Sequence, residues 1–221
     1  MRLALQQGTG INFITGYGVA FFFSVGIENA FLISLGLYLV GIPAVFASAY
    51  LIERYGRRQI LIASGASCAS VLIIMGALGL SANKTEAEKK VIVAMVYLFL
   101  FFFNVGWGPT VWVVCSEVST GPNRGKLMSV STASNWLWNW LVSFSFPYLF
   151  NPDEAGLGPR VGFIYGGLSV CATIWVFFFL PETAGRSLEE IDEMFDKGVP
   201  ARKFSSKSFF PSRNLDVVFT D

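Results

Sequence analysis

The feature that most constrains this chain is where its charges are absent. Uncharged runs lie at Leu3 to Ile27, Asn29 to Ile52, Gln59 to Asn83, Val91 to Ser116, Leu127 to Pro152 and Val161 to Pro181. Each holds about 21 to 26 residues, enough to cross a bilayer with some tilt. A soluble domain carries roughly a quarter charged residues, whereas this chain has 14% charged and 53% hydrophobic. A soluble helical core has no use for six such runs, so an all-α membrane protein is expected, with six spans over residues 1–181. The first run is too long for the apolar region of a signal peptide and no small-residue cleavage site follows it, so it reads as a retained span.

Composition also excludes several chemistries. With a net charge of +1, nothing suggests nucleic acid as a partner. The 221 residues contain no His, the commonest general base and metal ligand. Cys68, Cys115 and Cys171 sit inside apolar runs without paired spacing, so they read as small core residues. Neither a metal nor a cofactor is expected.

The polar residues inside the runs carry the functional information. Gln6, Gln7 and Asn12 crowd the first run, Asn104 interrupts the fourth, and Asn135 and Asn139 stand four apart in the fifth, on one helix face. Intramembrane amides are costly unless they face other helices, a cavity or a ligand. They can serve as helix glue or as a binding surface. Gly106-Trp107-Gly108-Pro109 breaks the fourth run, and Gly16-Tyr17-Gly18 is the expected unwinding point of the first. Amide neighbours make Trp112 and Trp136 candidates to line a cavity.

The remaining charges sort by side. Glu28-Asn29 forms a very short turn, and Glu53-Arg54-Tyr55-Gly56-Arg57-Arg58 packs three arginines into a short loop. Alternating spans put Arg2, Arg54, Arg57, Arg58, Arg124, Lys126 and the carboxy-terminal tail on one side, against Lys84, Lys89, Lys90 and Arg160 on the other. The positive-inside rule makes the first side cytoplasmic, with both termini inside. Asn83-Lys84-Thr85 has the form of a glycosylation sequon. Over residues 182–197, Ser187 and Glu190 make a capping box, and Leu188, Ile191 and Phe195 give a short amphipathic helix on the membrane surface. Residues 198–221, basic and rich in Ser and Phe, are expected to be a disordered cytoplasmic tail.

With these residues in view, the chain resembles the sugar porter family of the major facilitator superfamily, specifically the carboxy-terminal half, helices seven to twelve, of fungal hexose-transporter-like members. QQGTGIN (Gln6 to Asn12) resembles the helix-seven sugar motif, ERYGRR (Glu53 to Arg58) a loop motif, GPTVW with SEV and RG (Gly108 to Gly125) the helix-ten motif and its loop, and PETAGRSLEE (Pro181 to Glu190) the family's carboxy-terminal signature. The resemblance implies that Gln6, Gln7, Asn12, Asn104, Trp112, Asn135 and Asn139 border a sugar. Neutral amides both donate and accept, as hydroxyls require, and an aromatic face suits the C–H side of a sugar ring. It further implies that Glu53, Arg57, Arg58, Glu117, Arg124 and Glu182 form a cytoplasmic ion-pair cluster that gates the rocking of two halves.

The expected activity is therefore transport of a hexose-like monosaccharide by alternating access, as half of a sugar/H+ symporter or facilitative carrier in the plasma membrane, without covalent chemistry. The expected partners are the sugar, the lipid bilayer, an amino-terminal six-helix half and, in a symporter, protons. Polyols, oligosaccharides or quinate-like acids as substrates, a transporter-like sugar sensor, and a non-functional truncated fragment are the alternatives. The chain departs from the family pattern at Glu53, where Asp is usual, at Val111, where a second Pro is usual, and at Thr15 and Gly16, where aromatics are usual.

Overall fold

The structure, a computed structural model, describes residues 2–24, 29–81, 85–119, 123–151, 153–198, 200 and 204. Glu28 in the first turn, Asn83 and Lys84 of the sequon, the Gly121-Pro122 turn and nearly all of the tail lie outside the described residues. Among the described residues all regular structure is helical.

The first apolar run is split into α1 (Arg2–Gly8) and α2 (Ile11–Ser24). The break falls at Thr9-Gly10, not at Gly16-Tyr17-Gly18, which lies within α2. Gly10 has φ +90°, a left-handed conformation that favours glycine. Its face is also crowded: a Cβ there would stand 3.0 Å from Cβ of Tyr165. Thr9 closes the end of α1 by donating its hydroxyl to the Gln6 carbonyl at 2.6 Å. Both glycine sites offer backbone freedom, and only Gly10 combines a left-handed φ with a close neighbour.

Next comes α3 (Ala30–Tyr55), which turns directly into α4 (Arg57–Leu78) through Gly56, at φ +88°. A Thr85/Glu88 capping box opens α5 (Glu86–Val105), and only Gly106 separates it from α6 (Trp107–Val118). Pro109 sits in the first turn of α6, where its missing N–H leaves no carbonyl of the turn unserved. Then follow α7 (Arg124–Phe150) and, after a 3-10 turn at Gly158–Arg160, α8 (Val161–Phe179). The short α9 (Leu188–Asp196) carries the Ser187/Glu190 capping box.

Among the described residues, four segments are long and apolar enough to cross a membrane: Phe31–Tyr55, Arg57–Leu78, Glu86–Val118 and Gly158–Phe179. The two other runs differ for a physical reason. One is divided at Gly10, and α7, though long enough, spends much of its length on Ser, Thr and Asn.

Packing is tightest between α4 and α8. Their backbones approach so closely that a Cβ at Gly162 would lie 2.5 Å from the Leu72 carbonyl oxygen. Small residues at helix contacts are the membrane solution, because lipid supplies no hydrophobic drive for association. Aromatics fill the rest of the core. Phe13 stacks on Phe146 at 5.5 Å and on Tyr165 at 5.3 Å between ring centroids. Outward, α3 exposes Phe31, Leu35, Leu39, Ile42 and Phe46, an apolar face suited to lipid or another helix.

The amphipathic helix differs from its expected face. Ile191 and Met194 are fully buried, whereas Leu188 and Phe195 are about two-fifths exposed. Phe204 completes a small cluster with Ile191 and Met194, so at this position the tail is packed. Phe204 also meets Phe195 at 5.1 Å, and its carbonyl accepts from Arg186 at 3.3 Å.

Candidate functional site

Four amides from three helices form one hydrogen-bonded chain. Gln7 on α1 donates Nε2 to Asn135 Oδ1 on α7 at 2.6 Å. Its Oε1 accepts from Asn12 Nδ2, just beyond the Gly10 break, at 2.7 Å. Asn12 Oδ1 in turn accepts from Asn139 Nδ2 at 3.1 Å. The break permits this. On a continuous helix, positions five apart point to different sides, and the turn at Thr9-Gly10 brings Asn12 back to Gln7. Gln7 and Asn135 are buried, and Asn12 and Asn139 half-buried. The chain leaves Asn135 Nδ2 and Asn139 Oδ1 uncommitted among the described residues, a donor at one end and an acceptor at the other.

Gln6 serves a different surface. Its Nε2 donates to the Trp107 and Gly108 carbonyls at 2.8 and 3.1 Å, fastening α1 to the first turn of α6. Its Oε1 is buried and without a partner among the described residues, as is Thr110 Oγ1 on α6. Buried polar atoms are nearly always paired, so these two mark unmet hydrogen-bonding capacity beside the α6 break.

The other expected residues lie apart from this chain. Asn104 donates to the Leu100 carbonyl of its own helix at 2.9 Å. Trp112 is 38% and Trp136 65% exposed. The buried indole is Trp107, which donates to the Leu61 carbonyl at 3.0 Å and ties the broken helix to α4. Its place in a Gly-Trp-Gly-Pro break was the available signal, since a large side chain beside two glycines fills the space they leave.

The charged cluster has a definite architecture. Arg57 donates Nη2 and Nε to Glu117 Oε1 at 2.8 and 3.2 Å. The other oxygen of Glu117 accepts from Thr183 Oγ1 at 2.6 Å. Glu182 pairs with backbone, not with a guanidinium: it accepts the Arg57 and Arg58 N–H groups at 2.9 and 3.0 Å and that of Ala184 at 3.1 Å. It thereby caps α4, where unsatisfied N–H groups and the helix dipole favour an anion. Arg58 departs from the expected ion pair. It donates to the Phe177 carbonyl at 2.7 Å and lies 5.4 Å over the Phe177 ring. Glu53 and Arg124 are exposed, and neither is salt-bridged among the described residues. The cluster thus joins α4, α6 and the segment before α9.

Residues 1–195 match the family described as "Sugar (and other) transporter". The chain is 39% identical to a high glucose sensor of Saccharomyces cerevisiae, over 92% of this chain and 27% of the sensor. It is 37% identical to a probable glucose transporter of Neurospora crassa, over 98% of this chain and 38% of the transporter. It is 31% identical to hexose transporter 2 of Kluyveromyces lactis, over 98% of this chain and 39% of that protein. The chain therefore spans between about a quarter and two-fifths of the length of these relatives. Among solved structures, a double-Trp mutant of the transporter XylE superposes with a TM-score of 0.79 at 25% identity, over 88% of this chain and 41% of that one. The proton:xylose symporter XylE bound to 6-bromo-6-deoxy-D-glucose superposes at 0.75 and 26% identity, over 87% and 41%. The fold is that of the major facilitator superfamily, and the chain is a multi-pass membrane protein. By the extent of the match and the identity of these relatives, it belongs to the sugar transporter family.

Proposed function

We propose that the chain forms one half of a plasma-membrane carrier for a hexose-like monosaccharide. It works by alternating access against an amino-terminal six-helix bundle, with α1/α2, α3, α4, α5/α6, α7 and α8 as its own six spans. The observation that carries this reading is the amide chain Asn135–Gln7–Asn12–Asn139. It is neutral, spans the kinked α1/α2 and α7, and offers a donor and an acceptor at its ends. Sugar hydroxyls need such groups, and discontinuous helices are where carriers of this kind build their sites. Gln6, Asn104 and Trp112 extend the proposed sugar-binding surface. The sugars for which these relatives are named, glucose, hexose and xylose, agree with this class.

The Arg57–Glu117 pair, with Arg58, Glu182, Glu53 and Arg124 around it, acts as the cytoplasmic gate, opened and closed as the halves rock. The arginine asymmetry supports cytoplasmic termini. Any proton coupling rests on a carboxylate of the partner half, since the apolar runs of this chain hold none.

The test is uptake of labelled glucose in yeast lacking hexose uptake, with the chain co-expressed beside the amino-terminal half of the K. lactis relative. Saturable, stereospecific uptake is expected, and Gln7→Ala should weaken apparent affinity roughly five- to hundred-fold by leaving a hydroxyl unpaired. Assembled halves that transport sugar equally well with and without Gln7 would overturn the site.

A further inference from the structure

A cavity lies away from the amide chain, at the ends of α3, α4 and α5. It measures about 320 Å3 and is lined by Leu51 and Tyr55 of α3, Ile60 and Ala63 of α4, and Phe102 and Val105 of α5, among others. Exposed Gln59 also lines it, as do two serines, Ser64 and Ser67, whose hydroxyl protons are spent within the helix. Each donates to a carbonyl of its own helix, Ile60 at 2.7 Å and Ala63 at 2.9 Å. With the serine protons spent internally, polar capacity is left to Gln59 and the Tyr55 hydroxyl, and hydrocarbon satisfies the apolar remainder of the walls.

Its mouth is cationic. Arg54 is exposed, lies 5.6 Å from the Tyr55 ring that lines the groove, and donates to the Tyr50 hydroxyl at 2.7 Å. Two tyrosines therefore hold the guanidinium in place, with no carboxylate salt-bridging it among the described residues. Its neighbours are engaged elsewhere, Arg57 by Glu117 and Arg58 by Phe177. A fixed, uncompensated cation above an apolar slot complements one ligand, an acidic headgroup joined to a long alkyl chain. Basic pockets between spans recognise anionic lipids in this way.

We propose that this groove seats an acyl chain of an anionic glycerophospholipid, with Arg54 holding the headgroup. Neither Arg54 nor the lining residues of the groove belong to the proposed sugar site, so the proposal does not rest on that site. The test uses the purified chain in nanodiscs containing phosphatidylserine with a photoreactive diazirine in its acyl chain, and a matched phosphatidylcholine probe. Cross-links to residues 51–67 and 102–105 are expected, with phosphatidylserine favoured about five-fold, the effect of one interfacial cation. Arg54→Gln should level the two probes. Ala63→Trp, at an exposed position, should fill the groove and remove the local cross-links for both. Cross-links spread evenly over the lipid-facing helices, or a headgroup preference that survives Arg54→Gln, would overturn the proposal. So would a second copy of the chain cross-linked in place of lipid.

Discussion

Gln7 and Asn135 meet at 2.6 Å, amide nitrogen to carbonyl oxygen, with both side chains buried. The contact fastens α1 to α7 and holds one end of the amide chain in register. In a membrane the unfolded reference state can find partners too, so such bonds are worth less than their burial suggests, about 1 kcal/mol. Asn135→Leu in the purified, detergent-solubilised chain should cost about that much, and the double change Gln7→Leu/Asn135→Leu should cost less than the sum of the singles. Thermal denaturation of the four proteins measures the coupling, and strict additivity would show that the bond contributes nothing to the fold.

Gly10 and Gly16 should respond oppositely to alanine. Gly10 holds φ +90° beside Tyr165, whereas Gly16 is helical with open space where a Cβ would go. Gly10→Ala carries the left-handed penalty of about 1–2 kcal/mol and the contact besides. Gly16→Ala should be neutral or stabilise by up to about 1 kcal/mol, as glycine in a helix interior is the weaker choice. The same denaturation assay separates them. Destabilisation by Gly16→Ala alone would move the hinge back to Gly16-Tyr17-Gly18.

These two pairs show what the residues alone disclosed. The helical class and the intramembrane amides were legible because charge segregation and isolated amides are local properties. Which amides join was not, because Asn12 reaches Gln7 only after the chain bends at Gly10. The bend packs against Tyr165, more than 150 residues away. The same holds for Glu182. Its charge suggested an arginine partner, but its oxygens meet the N–H groups of α4, a choice set by the Gly56 turn. Asn104 looked free for ligand and instead bonds its own helix. Met194 and Phe204 form a cluster whose members are too widely spaced for periodicity to reveal.

Arg57 and Glu117 are each less than one-fifth exposed, so removing one leaves a poorly solvated charge. Glu117→Arg should destabilise the chain more than Glu117→Gln, because it adds repulsion to the loss. The swap Arg57→Glu/Glu117→Arg should restore only part of the stability. The carboxylate introduced at position 57 would stand beside Glu182, and Thr183 would lose its carboxylate acceptor. Thermal denaturation of the singles and the swap checks this. Full recovery in the swap, or no recovery, would each contradict the arrangement.

Phe204 is 1% exposed and packs on Ile191 and Met194. Phe204→Ala should undock α9 locally while the spans persist, since the cluster is separate from the main core. Hydrogen exchange should quicken at Leu188–Asp196 and stay unchanged in α4 and α8. Unchanged exchange at α9 would mean that Phe204 does not anchor it.

The final prediction concerns the chain in the absence of any partner half. Alternating access needs two bundles that rock about a shared interface, and the proposed six spans supply one bundle. Its proposed sugar surface runs along α1, α2 and α7, with Asn139 half-buried and Trp136 and Trp140 exposed. Uncommitted amide groups facing lipid are expensive, so the isolated chain should self-associate through this face or be degraded. Reconstituted alone in liposomes, it should give no saturable uptake of labelled hexose, with or without a proton gradient. Cross-linking from a single cysteine at Trp136 should capture a second copy. Stereospecific, saturable uptake by the isolated chain would overturn the two-bundle reading, because one bundle has nothing to rock against.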